Sequence, residues 1–170
     1  MASLAPIVGL EPTVLILGSM PSQISLEQQR YYANPNNAFW WLMSQMLNFS
    51  LDASYQQRIE NLKDSGYAVW DVLYDCERKG SLDGNIIRAT EQANDIAAFI
   101  KRYPGICKIG FNGRAAQTIF ARHNNTDCLK STVQHCLLPS TSSAHARMNK
   151  YEKLQVWRLE LGDSSNSSAK

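Results

Sequence analysis

Three short blocks of this 170-residue chain carry the side chains that could do chemistry. The first is Gly18-Ser19-Met20-Pro21-Ser22, followed after a polar spacer by Tyr31-Tyr32-Ala33-Asn34-Pro35-Asn36-Asn37-Ala38-Phe39-Trp40. The second is Trp70-Asp71, and the third runs Pro139-Ser140-Thr141-Ser142-Ser143-Ala144-His145-Ala146-Arg147. An asparagine amide cannot deprotonate water, but it can orient one and accept its hydrogen bond. Alternatively Asn37, or Asn36 beside it, caps a helix that begins at Ala38. An ionised Asp71 only accepts hydrogen bonds; its structural alternatives are a salt bridge with Arg78 or Lys79, or the capping of a turn. Tyr31 and Tyr32 offer ring faces for stacking or serve as core and rim aromatics. Neighbours on an extended loop point opposite ways, so at most one of them stacks on a given ligand. Backbone N–H groups of the Gly18 to Ser22 turn can cradle negative charge.

These blocks need a frame, and the apolar pattern supplies one. Val14 to Leu17 reads as a buried strand, followed by helical spacing of Phe39, Met43, Met46 and Leu47 within Asn37 to Leu47. Tyr67 to Leu73 reads as a second strand, leading into a polar loop with Gly80 and Gly84. A helix from Asn94 to Arg102 ends at Pro104-Gly105, Ile106 to Phe111 is a third strand, and Arg114 to Arg122 is a helix. Val133 to Leu138 is a fourth strand and Asn149 to Leu161 a last helix with Leu154, Trp157 and Leu161 on one face. Alternating strands and helices predict a parallel sheet covered on both faces, with ligands bound at the carboxyl ends of its strands. The three blocks come after Leu17, Val69 and Leu138, toward the carboxyl ends of predicted strands.

Composition sets limits. A chain of this length buries roughly two thirds of its unfolded surface. A net charge of +2 does not announce a polyanion partner, so phosphate binding requires local clustering. Cys76, Cys107, Cys128 and Cys136 lack metal-ligand spacing and read as buried thiols of a reduced intracellular protein. The amino-terminal segment lacks the pattern of a signal peptide, and no run is long enough to span a membrane. A soluble intracellular protein is expected.

The blocks Gly18-Ser-Met-Pro-Ser, Tyr31-Tyr-x-Asn-Pro-x-Asn-x-Phe-Trp40, Phe111-Asn-Gly-Arg-Ala-Ala and Leu138-Pro-Ser-Thr-Ser-Ser-Ala together resemble the uracil-DNA glycosylase superfamily. More narrowly they resemble its hypoxanthine-DNA glycosylase (deoxyinosine glycosylase) branch, over about Val14 to Leu159. The resemblance implies a three-layer α/β/α fold with a short, mostly parallel four-stranded sheet; chain length predicts a single domain, over residues 1–162, and the Ser-rich composition of 163–170 a flexible tail. It implies a monomeric, monofunctional DNA glycosylase of base-excision repair, without metal or cofactor, that hydrolyses the bond to a flipped-out deaminated base in double- or single-stranded DNA. Hypoxanthine is the expected base. Uracil or mismatch excision is the near alternative, and a catalytically silent nucleic-acid or nucleotide-binding module the distant one.

The same resemblance assigns residues. Asn37 matches the water-orienting asparagine, and Tyr32 the ring that stacks on the flipped base. Gly18, Ser19, Met20 and Asp71 complete the base site. Deamination converts a ring nitrogen from acceptor to N–H donor, so an acceptor at Asp71 welcomes deaminated bases and repels normal ones. Met20 stands where several branches place the water-orienting side chain, which puts that duty on Asn37. Ser22, Arg114, Ser140, Thr141, Ser142, Ser143, Ala144, His145 and Arg147 are the expected DNA contacts, the third block matching the minor-groove segment. Ser140 replaces the histidine many relatives carry, and Ser143-Ala144-His145 departs from the branch's Ser-Pro-Ala-Asn. His145 is therefore expected to touch DNA rather than act as an acid, while His123 and His135 receive no role.

Overall fold

Every residue of the first strand, β1 (Val14–Gly18), is buried, which explains its unbroken apolar run: a strand covered on both faces has no solvent side. A computed structural model describes residues 3–124 and 132–162 of the chain. Cys128 and the Ser-rich tail lie outside the described residues. The sheet also contains β2 (Tyr67–Asp71), β5 (Lys108–Asn112) and β6 (Gln134–Leu138), in the order β2-β1-β5-β6 and parallel throughout. Successive β1 side chains part to opposite faces. Val14 and Ile16 enter one core with α2 (Phe39–Leu47), α3 (Tyr55–Asp64) and α6 (Lys150–Leu161), which contribute Phe39, Trp40, Leu62 and Trp157. Leu15 and Leu17 enter the other with α4 (Ile96–Arg102) and α5 (Arg114–His123), around Ile96, Phe99, Ile119 and Phe120. Three layers result.

Register decides where the blocks arrive. Gly18 lies opposite Asp71, and Asn112 opposite Leu138, so all four strands deliver their carboxyl ends to one edge. Three details depart from the sequence reading. Tyr67 to Leu73 is not one strand: β2 stops at Asp71, Val72 bonds back to the Gly18 carbonyl, and β3 (Leu73–Asp75) leaves to pair antiparallel with β4 (Gln92–Ala93). The polar loop between them holds two 3-10 turns, Asp83–Asn85 and Arg88–Thr90. Two helices were not anticipated, α1 (Gln23–Gln28), capped by Ser22, and α3, capped by a reciprocal Ser54 and Gln57 box. The cysteines differ too: Cys107 is exposed and Cys76 and Cys136 half-buried, so buried thiols are not what is found. No helix among the described residues is long and apolar enough to cross a membrane.

Candidate functional site

The carboxyl edge is tied together by one side chain. Asn112, last residue of β5, donates from Nδ2 to the Tyr32 hydroxyl at 3.0 Å and to Thr141 Oγ1 at 2.9 Å, and its Oδ1 accepts from Thr141 N–H at 2.9 Å. Every polar group of the amide is satisfied. The Thr141 carbonyl in turn accepts from Ala38 N–H at 2.9 Å, and Trp157 Nε1 donates to the Pro139 carbonyl at 3.0 Å. The loop after β6 is thereby fixed to the asparagine loop before α2. Sequence reading quoted Asn112 within a motif but gave it no duty. Its place at a strand's carboxyl end was the available signal.

Asn37 sits within this frame. Its Oδ1 accepts from Phe39 N–H at 3.0 Å, so it covers the first N–H of α2 from the position before the N-cap; the N-cap itself is Ala38, which makes no side-chain cap bond, and the helix begins at Phe39 rather than Ala38. A carbonyl oxygen has a second lone pair, and the Nδ2 donors have no partner among the described residues. Tyr32 adopts a left-handed backbone (φ 52°) and stacks on Phe39 with ring centroids 3.9 Å apart. That leaves one ring face for anything else. Burial, with the nearby Asp71 carboxylate, holds its phenol above the usual tyrosine range, so it remains protonated. Tyr31 is buried, its hydroxyl donating to the Leu4 carbonyl.

Asp71 lies on the floor, 3% exposed, with Oδ2 lacking any hydrogen-bond partner. A Cβ on Gly18 would fall 2.4 Å from Asp71 Oδ1, so only glycine lets β1 pass the carboxylate. Burial first, then the Asp83 carboxylate, push Asp71 up to about 7, against the opposing pulls of Arg78 and the Tyr31 hydroxyl. The alternative in which Asp71 pairs with Arg78 or Lys79 is not what forms. Arg78 faces Asp83 at 3.9 Å and donates to the Pro21 carbonyl, joining the Gly18 turn to the 3-10 segment. Ser19 Oγ donates to Asp83 Oδ1 at 2.6 Å. Asp83 and Arg78 are site residues that sequence reading missed, since 64 positions separate Ser19 from Asp83. Met20 packs against the second core and meets Cys76 Sγ at 3.1 Å. In the Gly18 turn the carbonyls of Gly18 and Ser19 are engaged, by Val72 and Leu73 N–H groups.

Two adjoining cavities result. One, of about 210 Å³, is lined by Gly18, Ser19, Met20, Ser22, Tyr32, Asn37, Asp71, Asp83, Asn112 and Ser140 to Ala144, among others. The second is a groove of about 690 Å³ that shares Tyr31, Tyr32, Asn34, Asn37, Thr141, Ser142 and Ser143 with the first. It continues over Trp41, Arg58, His145 and Lys150. Asn37 stands in the common wall. The expected contacts divide accordingly: His145 lines the groove only, Arg147 lines neither cavity, and Arg114 lines a separate cleft with Glu91 and Arg122. His123 pairs with Glu91 at 2.7 Å, and His135 meets Phe111 and Phe120 edge-on. Neither approaches the two cavities.

No protein-family model matches the chain. A hypoxanthine DNA glycosylase of Methanosarcina acetivorans is 34% identical over 138 residues, spanning 81% of this chain and 83% of that protein. One from Methanosarcina barkeri is 32% identical over 110 residues, spanning 64% and 68%. The solution NMR structure of a candidate uracil DNA glycosylase from Methanosarcina acetivorans superposes with a TM-score of 0.74 at 29% identity, over 94% of this chain and 98% of that one.

Proposed function

The chain belongs to the hypoxanthine DNA glycosylases, a branch of the uracil-DNA glycosylase superfamily, and from that premise we propose how its residues divide the excision of a deaminated base. The flipped base enters the 210 Å³ cavity, its sugar and phosphates stay on the groove side, and the glycosidic bond crosses the wall that holds Asn37. The observation that carries this reading is that common wall. Asn37 Oδ1, pinned by Phe39 N–H, uses its remaining lone pair to accept a hydrogen from a water beneath C1′. The C1′–N bond breaks with its electron pair leaving on the base, the water oxygen bonds C1′, and the water proton ends on the base or in solvent. The products are free base and an abasic site.

Tyr32 holds the base through its one uncovered face, a contact worth roughly 1–3 kcal/mol that does not discriminate among bases. Discrimination falls to Asp71. When ionised it accepts the N–H that deamination creates, and it meets adenine's ring nitrogen as lone pair against lone pair. Hypoxanthine is the base we assign. A second reading is uracil, because its N3–H satisfies the same acceptor and the structural neighbour is a candidate uracil DNA glycosylase.

Oligonucleotides carrying one inosine, uracil or thymine opposite each base, followed by alkaline cleavage at abasic sites, separate the readings. Scission at inosine alone is expected. Scission at uracil favours the second reading, and intact strands throughout would refute both.

A further inference from the structure

The groove beside the base cavity has charges that its own fold leaves unanswered. Arg30, Arg58, Lys150 and Lys153 line it, and none of its lining residues is Asp or Glu. Among the described residues none of the four forms an ion pair. Arg58 is held by the Ala53 and Leu51 carbonyls, Arg30 lies over the Tyr55 ring, and Lys150 lies 4.5 Å from the centre of the Trp41 ring. Lys153, one turn beyond Lys150 on the same face of α6, is 4% exposed, and Nζ has one contact, the Ser142 carbonyl at 3.4 Å. Burial disfavours the charged form of this side chain, and one long hydrogen bond leaves its other N–H donors free for an anion. His145 Nδ1, also in the groove lining, is buried with no hydrogen-bond partner. Two incomplete polar groups thus meet in one basic groove.

We propose that this groove is a phosphate subsite for the DNA strand that carries the flipped nucleotide, with Lys153 as its central cation and Lys150, Arg58 and His145 around it. A phosphodiester is the anion that fits. The groove begins at the wall containing Asn37, Thr141 and Ser142, where the backbone of a nucleotide seated in the base cavity must emerge. Arg30 and Lys150 each stand over an aromatic ring, matching a strand that alternates charge with flat bases. The inference takes the identity of the polyanion from the glycosylase reading. The unpaired cations are independent of that reading.

The test uses the whole chain and a labelled duplex with a stable abasic-site analogue, which cannot be cleaved. Lys153→Met and Lys150→Gln are each expected to weaken binding several-fold at low salt and to reduce the slope of log Kd against log salt by about 1. Lys153→Met should melt at or above the wild-type temperature, because it removes a buried, half-satisfied charge; a structural lysine would give a lower one. One neutral methylphosphonate beside the analogue should weaken the wild type and leave Lys153→Met unaffected. Unchanged slopes in both variants overturn the proposal, as does polyglutamate competition that displaces DNA with no methylphosphonate effect. Should Lys153→Met not fold, the variant of the exposed Lys150, Lys150→Gln, decides alone. Loss of inosine cleavage with the slope shift intact would refute the glycosylase reading and spare this one; intact cleavage with unchanged slopes would do the reverse.

Discussion

The two adjoining cavities differ in sign. The base cavity is lined by two carboxylates, Asp71 and Asp83, and by no lysine, arginine or histidine, whereas the groove is lined by four cations and no carboxylate. They share seven residues, Asn37 among them. A nucleotide has the same division built into it: an uncharged base on one side of the glycosidic bond and an anionic backbone on the other. The acidic cavity disfavours a phosphate that strays inward, and the basic groove has no carboxylate to pair with a base N–H. A near-neutral chain of net charge +2 achieves this by separating its charges locally.

Removing the residue at the boundary should have the largest effect. Asn37→Ala is expected to slow single-turnover base release by about two powers of ten or more while leaving DNA affinity nearly unchanged, since its proposed contact is with the reacting water. Loss of the bond to Phe39 N–H also lowers stability modestly, by about 1 kcal/mol. Wild-type rates in this variant would break the comparison at its centre.

The acidic side is tested next. Because Asp71 titrates near 7, preference for hypoxanthine over adenine should grow as pH rises through that value, about ten-fold or more in relative cleavage. Below it the protonated carboxyl donates as well as accepts and no longer excludes adenine. Asp71→Asn should give a flat profile. Stability moves oppositely: the folded chain holds this proton more tightly than the unfolded one, so stability falls as pH rises from the ordinary 3.8 to about 7. Thermal melts across that range should show less pH dependence in Asp71→Asn. Comparable in size, but read in stability, is Asn112→Ala, which frees Tyr32 and Thr141 and should cost about 1–3 kcal/mol in denaturant unfolding. Smallest is Arg114→Ala: its side chain is in a different cleft, and binding should change less than two-fold by anisotropy.

Local pattern made one half of this arrangement legible and hid the other. The strands, the carboxyl-edge rule and the turn chemistry of Gly18 to Ser22 and Ser140 to Ser143 point to the cavity, and Gly18, Tyr32, Asn37 and Asp71 do line it. Asp83 was invisible because it reaches Ser19 through a loop of 3-10 turns with no periodicity to read. The groove was hidden because Arg30, Arg58 and Lys153 come from three separate segments, each looking like an ordinary solvated face. Arg58 and Tyr55 lie on α3, a mostly polar helix whose apolar positions are Tyr55, Ile59 and Leu62 alone. Asn37 was ambiguous between cap and water ligand for a physical reason: its oxygen has lone pairs enough for both.

Salt-dependent single-turnover kinetics on an inosine duplex test the division most directly. Raising salt from about 50 to about 200 mM should weaken Kd for wild type and Asn37→Ala with equal slopes, while the rate of the saturated complex stays constant in salt and falls only with Asn37. A saturated rate that falls with salt in the wild type, or an Asn37→Ala slope reduced like that of Lys150→Gln, would contradict the account.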